Sequence, residues 1–381
     1  MSGRPQVSSG STTLPDVDRR GGELRKTLGQ VFDPRANALN AWRLGLALAV
    51  IIWHSLVLTG RPMPAFPLHQ FATQCFVDGF FAISGFLIPA SWLGKPRLRD
   101  YVLARGLRIL PALWVCLVIT AFVIAPIGVA IQGGSAGGLI SSGGPMQFVV
   151  RNSAVAYVQF DIAGTPSGIP FPGMWNGSLW TLQYEVLLYI AVAVLGLSRL
   201  LGRRWLFPVA FGLTLAWSVL APCPLDGGTV AERLARLAAM FAAGGLMHRF
   251  RDKIPARWSL VAASAVVVLL ANLLPDYRVV GAIPLAYAVI VSGALIHHKR
   301  LNLRTDLSYG TYIYACPIQQ VMVIAGLGTL NPLVFAVIAT LVTLPFAALS
   351  WFVVEKPAMQ LKARITNKIG RPRPRLTRSI P

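Results

Sequence analysis

RLGLALAVIIWHSLVLTG, residues 43–60, is apolar apart from an arginine at its start and one histidine near its end. The hydrocarbon core of a bilayer needs about 20 mostly apolar residues per helix, and this run supplies them. It follows a polar stretch of about 40 residues, and no small-residue cleavage site precedes the next run, so it reads as a retained span and not a signal peptide. Nine further runs qualify, at about 74–93, 109–127, 178–197, 205–221, 233–248, 259–274, 281–296, 309–327 and 332–354. The composition agrees: 55% of residues are hydrophobic and 13% charged, with a mean hydropathy of +0.60. Such a chain cannot cover a water-soluble globule with polar groups. The expected fold is all-α, a polytopic transmembrane bundle of about ten spans. A stretch around 146–160 is a candidate eleventh or re-entrant helix.

The net charge of +21 does not point to nucleic acid, because the basic residues sit in short clusters between apolar runs without a basic-aromatic groove pattern. They report orientation instead. Only Arg61, Arg151, Arg233, Arg236 and Arg278 of the 35 Lys and Arg fall on one side of the expected bundle. The positive-inside rule then puts both termini in the cytoplasm and the protein in the plasma membrane as a multi-pass chain. Three parts follow: a disordered cytoplasmic tail over 1–38, a membrane domain over 39–357 and a basic cytoplasmic tail over 358–381, lying against anionic headgroups. The loop between the third and fourth spans, about 50 residues long, carries GGSAGGLISSGG (133–144) and TPSGIPFPGMWNG (165–177). The four cysteines, Cys75, Cys116, Cys223 and Cys316, show no metal-ligand spacing, and no metal site is expected. Cys116 and Cys316 read as small hydrophobes, whereas Cys75 and Cys223, near outer helix ends, leave a disulfide open.

Ionisable residues inside spans are expensive and are functional candidates for that reason. Arg43 and His54 are eleven residues apart, about three turns, so they share a helix face roughly 16 Å apart along the axis. Asp78 begins a face with Ala82 and Gly85 that admits a close neighbouring helix, which makes it a supporting residue. Glu185 lies about two turns into the fourth span, at a residue count comparable to His54, and needs a partner there. His54 is the economical choice. Arg105 and Arg108, three residues apart, face one way and, with Arg43, form a cationic mouth suited to phosphate.

Taken together these residues resemble a family, the acyltransferase-3 integral membrane acyltransferases. The likeness runs from about Asn40 to Pro357. Arg43 and His54 resemble its first-span Arg-x10-His pair, and VDGFFAISGFLI (77–88) its second-span signature. Arg105 and Arg108 match its Arg-x-x-Arg. SLWTLQYEVLLY (178–189), with Trp180 and Glu185, is similar to its Trp-Ser-Leu-x-x-Glu motif, Thr181 standing for the serine. LSYGTYIYACP (307–317), with Tyr309 and Tyr312, resembles its Ser-Tyr-x-x-Tyr motif, and Glu355-Lys356-Pro357 its closing motif. Many members carry Trp-His before the proline where this chain has Tyr314 and Ala315, so a second catalytic histidine is not expected. The extracytoplasmic hydrolase-like domain fused to some members is not expected, since the last span comes shortly before residue 381.

The resemblance implies transfer of an acyl group, often acetyl, from an acyl-CoA donor to a hydroxyl of an envelope carbohydrate or glycolipid, with no permanently bound cofactor. It implies that Arg43, Arg105 and Arg108 bind the donor. His54 would act as general base, oriented by Glu185, with Asp78, Trp180, Tyr309 and Tyr312 supporting. The rival reading is a sugar or lipid transporter or flippase, in which Pro89, Pro284, Pro317 and Pro345 mark broken helices. No internal repeat supports it.

Overall fold

A computed structural model describes residues 26–62, 68–221 and 228–361; the rest of both tails, and Cys223, lie outside the described residues. Among the described residues every regular element is helical. Each expected span contains a helix. These are α1 (Leu39–Leu58), α2 (Phe76–Gly94), α3 (Leu98–Ile119), α4 (Trp180–Leu197), α5 (Leu206–Leu220), α6 (Val230–Arg249), α7 (Trp258–Ala271), α8 (Arg278–Leu295), α9 (Ser308–Ile324) and α10 (Pro332–Leu349). With the helical turns that continue some of them, the segments Leu39–Leu58, Phe71–Gly94, Leu98–Ile131, Trp180–Leu197, Arg278–Leu295 and Pro332–Leu361 are long and apolar enough to cross a membrane. α5 and α7 are shorter but apolar. Their outer faces suit lipid: Leu213 on α5 is 67% exposed and Leu270 on α7 60%, a surface that water would disfavour.

The core falls into two halves. One gathers Phe86, Tyr184, Met240 and Ile290 from α2, α4, α6 and α8. The other gathers Leu113, Trp175, Tyr314 and Phe335 from α3, α9, α10 and the long loop. α1 contributes Leu46 to the first and Ile51 to the second, and so runs along the seam. The small-residue face anticipated on α2 is real. A Cβ on Gly85 would sit 1.8 Å from the carbonyl oxygen of Phe241, and one on Gly244 would sit 1.9 Å from that of Ala82. α2 and α6 therefore touch backbone to backbone, as small residues permit in a membrane bundle.

Several expectations need correction. The segment over 1–38 is not all disordered tail: from Lys26 the chain is packed, with Leu28 fully buried and its N–H donating to the Ile254 carbonyl at 2.8 Å. Gly29 N–H donates to Arg251 and Ala256 N–H to Lys26. The stretch around 146–160 is not an eleventh span, because its helix, Gly144–Asn152, has nine residues and rises only about 13 Å. The prolines do not break their helices either. Pro89, Pro284, Pro317 and Pro345 all lie inside continuous α-helix.

The loop after α3 does enter the bundle, further along than anticipated. Pro317 has no N–H to give to the Ile313 carbonyl four residues earlier. Asn176 Nδ2 takes its place at 2.8 Å, with the Cys116 thiol at 3.3 Å. One turn further along α9, Gln320 Nε2 donates to the carbonyls of Met174 at 2.7 Å and Phe171 at 3.1 Å. Gly177 N–H reaches Cys316 Sγ. Irregular backbone is tolerated at such depth only when its polar groups are satisfied by protein. The loop thus descends along α9 to mid-helix before α4 begins.

Candidate active site

Two cavities lie along the seam. The first, about 100 Å³, is lined by Arg43, Arg105, Arg108, Glu185, Tyr189 and Tyr309 among others. The second, about 400 Å³, is lined by His54, His69, Trp180, Arg233 and Arg236 among others. Val77 and Tyr312 belong to both walls. The Tyr312 hydroxyl bonds Thr181 Oγ1 at 2.9 Å, and its ring meets Phe80 edge-on at 5.7 Å.

The structure brings the three expected arginines together but gives them different duties. Arg108 directs Nη2 to Asp306 at 2.5 Å and Nη1 to Glu355 at 3.0 Å. Its ring partners are Tyr309 and Trp351. Both arms of its fork are engaged by protein carboxylates, so the phosphate grip expected of it is already occupied. Glu355 reaches inward because the chain makes a π-turn over Ser350–Glu355, and Ser350 Oγ donates to it across that wider turn at 3.2 Å. Arg43 makes one longer contact, to Asp306 at 3.4 Å. Arg105 stands over the rings of Tyr189 at 5.7 Å and Tyr101 at 6.0 Å, and touches Ser91 Oγ at 3.5 Å. Its Nε has no hydrogen-bond partner among the described residues.

Asp306 was not singled out in the sequence, although it immediately precedes the Leu307–Pro317 motif. Its second oxygen accepts from the Ser308 hydroxyl and N–H. Burial alone would raise the Asp306 carboxyl, yet Arg108 and Arg43 beside it, with Ser308, hold it below the usual carboxylate range.

The expected contact between His54 and Glu185 is not made. Glu185 accepts from the Tyr189 hydroxyl and lines the arginine cavity. His54 lines the other cavity, where its Nδ1 has no hydrogen-bond partner among the described residues. The physical cause is the descending loop. α4 starts from mid-bundle, with Thr181 level with Tyr312, so Glu185 one turn on lies much nearer the arginines than a residue count suggests.

Asp78 lines neither cavity. It is fully buried, paired with Arg278 Nη2 at 2.5 Å and accepting from the Tyr277 hydroxyl at 2.5 Å, which ties α2 to α8. Trp180 walls the His54 cavity, with the Arg233 guanidinium 5.6 Å from its ring. Tyr309 donates to the Ile109 carbonyl at 2.9 Å and so fixes α9 against α3. His69, stacked on Trp53 at 5.8 Å, is a second histidine of that cavity absent from the sequence reading.

Comparison with known proteins adds three findings. The acyltransferase-3 family model, an acyltransferase domain, matches residues 36–352. An O-acetyl transferase of Shigella phage Sf6 is 27% identical over 339 residues, covering 84% of this chain and 96% of that protein. Nodulation protein 10 of Rhizobium leguminosarum bv. viciae is 23% identical over 319 residues, covering 75% and 82%. No solved structure matches the chain.

Proposed function

From the premise that the chain belongs to the acyltransferase-3 family, we propose that it is a membrane-bound O-acyltransferase using an acyl-CoA, acetyl-CoA first among them. The acceptor is a hydroxyl of an envelope carbohydrate or glycolipid. The observation that carries this reading is the pair of cavities with a common wall at Val77 and Tyr312, one lined by arginines and the other by His54. In the proposed arrangement the protein has ten spans and cytoplasmic termini, and sits in the plasma membrane. The arginine cavity is then cytoplasmic and the His54 cavity faces outward.

Arg105 is the foremost phosphate ligand, because no carboxylate competes for it among its hydrogen bonds and ring contacts. Arg43 assists. Arg108 is held by Asp306 and Glu355 and keeps the mouth cationic and shaped. The pantetheine arm enters between the helices and brings the thioester to the shared wall. The acceptor hydroxyl arrives from the other side. His54 takes its proton as the oxygen attacks the thioester carbon. The carbon–oxygen bond forms, the carbon–sulfur bond breaks, and the proton passes on to the departing CoA thiolate. Transfer is direct in this reading, since no serine or cysteine is paired with His54 among the described residues. Glu185 acts on the donor side, through Tyr189 and the arginines, and does not orient the histidine.

The test is incubation of the purified protein with acyl-labelled acetyl-CoA and envelope glycans. Loss of thioester matched by label on a hydroxyl supports the reading. Movement of an unmodified sugar or lipid across a proteoliposome without thioester loss would support the transporter instead.

A further inference from the structure

The arginine cavity, at about 100 Å³, is smaller than the roughly 300–1,000 Å³ of a site that encloses a whole ligand. An acyl-CoA carries more than a diphosphate and a pantetheine arm. At its far end stands an adenosine with a phosphate on the ribose 3′-oxygen. A third cavity, of about 500 Å³, lies further along the same elements. On α1 its wall is Asn40, three residues before Arg43 of the arginine cavity. On α2 it is Leu87, three residues after Ser84, and on the segment leading into α9 it is Arg304, four residues before Ser308. Within each element the residue that faces the histidine cavity lies in the opposite direction: His54, Val77 and Tyr312. The third cavity therefore continues the arginine cavity at its end away from His54.

Hydrogen bonds fix this wall. Asn40 Nδ2 donates to the Leu303 carbonyl at 2.9 Å. The turn before α1 is closed by the Arg35 N–H on Asp33 Oδ1 and by Asn37 Nδ2 on the Asp33 carbonyl, both at 2.8 Å. These bonds use backbone and amide groups. The guanidinium groups of Arg35 and Arg304, which line the cavity from its two banks, are exposed and carry no ion pair among the described residues. Arg108, held by two carboxylates, is the opposite case. Phe32 and Leu39 add apolar surface. Arginine's fork matches phosphate oxygens, and apolar walls suit a purine face.

We propose that this third cavity seats the adenosine 3′-phosphate of the donor. Arg35 and Arg304 hold the phosphate, and Phe32, Leu39 and Leu87 lie against the base, while the diphosphate sits at Arg43 and Arg105. This rests on the acyl-transfer reading above and deepens it: the protein recognises CoA by its nucleotide end, remote from the reacting atoms. A lipid headgroup would offer two exposed arginines the same phosphate chemistry, and the probes separate the two sources.

The experiment is calorimetric titration of the purified full chain in detergent with CoA and with dephospho-CoA, which lacks only the 3′-phosphate. CoA should bind about tenfold or more tighter, the scale of a charge-assisted contact. Arg35→Gln and Arg304→Gln should each bring the ratio of the two affinities toward one, whereas Arg304→Lys should keep part of it. Lys299, exposed in the same loop but outside the cavity wall, is the control for diffuse positive charge, and Lys299→Gln should keep the full ratio. Equal binding of the two probes by the wild-type protein, or no binding of either, overturns the proposal whether or not the variants fold; equal binding leaves the two arginines to lipid headgroups. A ratio that survives in folded Arg35→Gln and Arg304→Gln, or that falls as far in Lys299→Gln, overturns it too. Acyl transfer is read separately. A preference for the 3′-phosphate without transfer from acetyl-CoA to any acceptor would overturn the transferase reading and leave the nucleotide cavity standing. Transfer at equal rates from subsaturating acetyl-CoA and its dephospho analogue would do the reverse.

Discussion

The two cavities along the seam differ in how their singled-out polar groups are satisfied. At the arginine end, Arg108 is gripped by Asp306 and Glu355, Arg43 leans on the same aspartate, and Glu185 is satisfied by Tyr189. In the other cavity, Nδ1 of His54 and Nε2 of His69 have no hydrogen-bond partner among the described residues. The first is a preassembled ionic frame with one arginine, Arg105, held mainly by aromatic rings. The second is a chamber in which a nitrogen of each of two histidines has no partner among the described residues. In the proposed function the first would serve a donor of fixed chemistry, and the second a group that takes up and releases a proton.

That contrast breaks most severely at His54. His54→Ala should lower acyl transfer by about 10²–10⁴-fold, while CoA affinity measured by calorimetry stays near that of the wild type. Undiminished transfer would remove the histidine from the chemistry. Next comes Arg108→Ala, which strands Asp306 and Glu355 in a buried site at a cost of about 3–5 kcal/mol. It should appear as a lowered melting temperature and poor recovery from the membrane. A variant as stable as the parent would show that the frame is not structural.

Arg105→Ala is milder for the fold and sharper for the donor. Loss of one charge-assisted phosphate contact is worth about 1.5–3 kcal/mol of CoA affinity, with partial rescue by lysine. If CoA binding were unchanged in the folded variant, the arginine end would be no donor site. Asn176→Ala leaves the carbonyl freed by Pro317 with only the Cys116 thiol, at a cost of about 1–2 kcal/mol in thermal stability. The smallest expected effect is a coupling. Because Glu185 and His54 line different cavities, the losses from Glu185→Gln and His54→Gln should multiply, with an interaction energy within about 0.5 kcal/mol. A double variant no worse than His54→Gln would restore them to a single unit.

Much of this was legible in the sequence. Each apolar run became a helix because nothing but an α-helix satisfies its own backbone in lipid. Arg43, Arg105 and Arg108 converge, as their spacing and the family likeness imply. Depth was not legible. Counting residues from a helix end assumes that all helices start at one level, and the loop over 165–177 ends well inside the bundle, where Asn176 meets α9. That displacement separates Glu185 from His54. Asp306 escaped notice because it lies in a loop, outside the spans where a carboxylate stands out.

The most direct test of the account is a structure of the protein with a thioether analogue of acetyl-CoA, which binds but cannot transfer. The account predicts the diphosphate against Arg105 and Arg43, and the sulfur at the wall formed by Val77 and Tyr312, with His54 on the far side. A nucleotide lodged in the His54 cavity, or a sulfur remote from Tyr312, would contradict it.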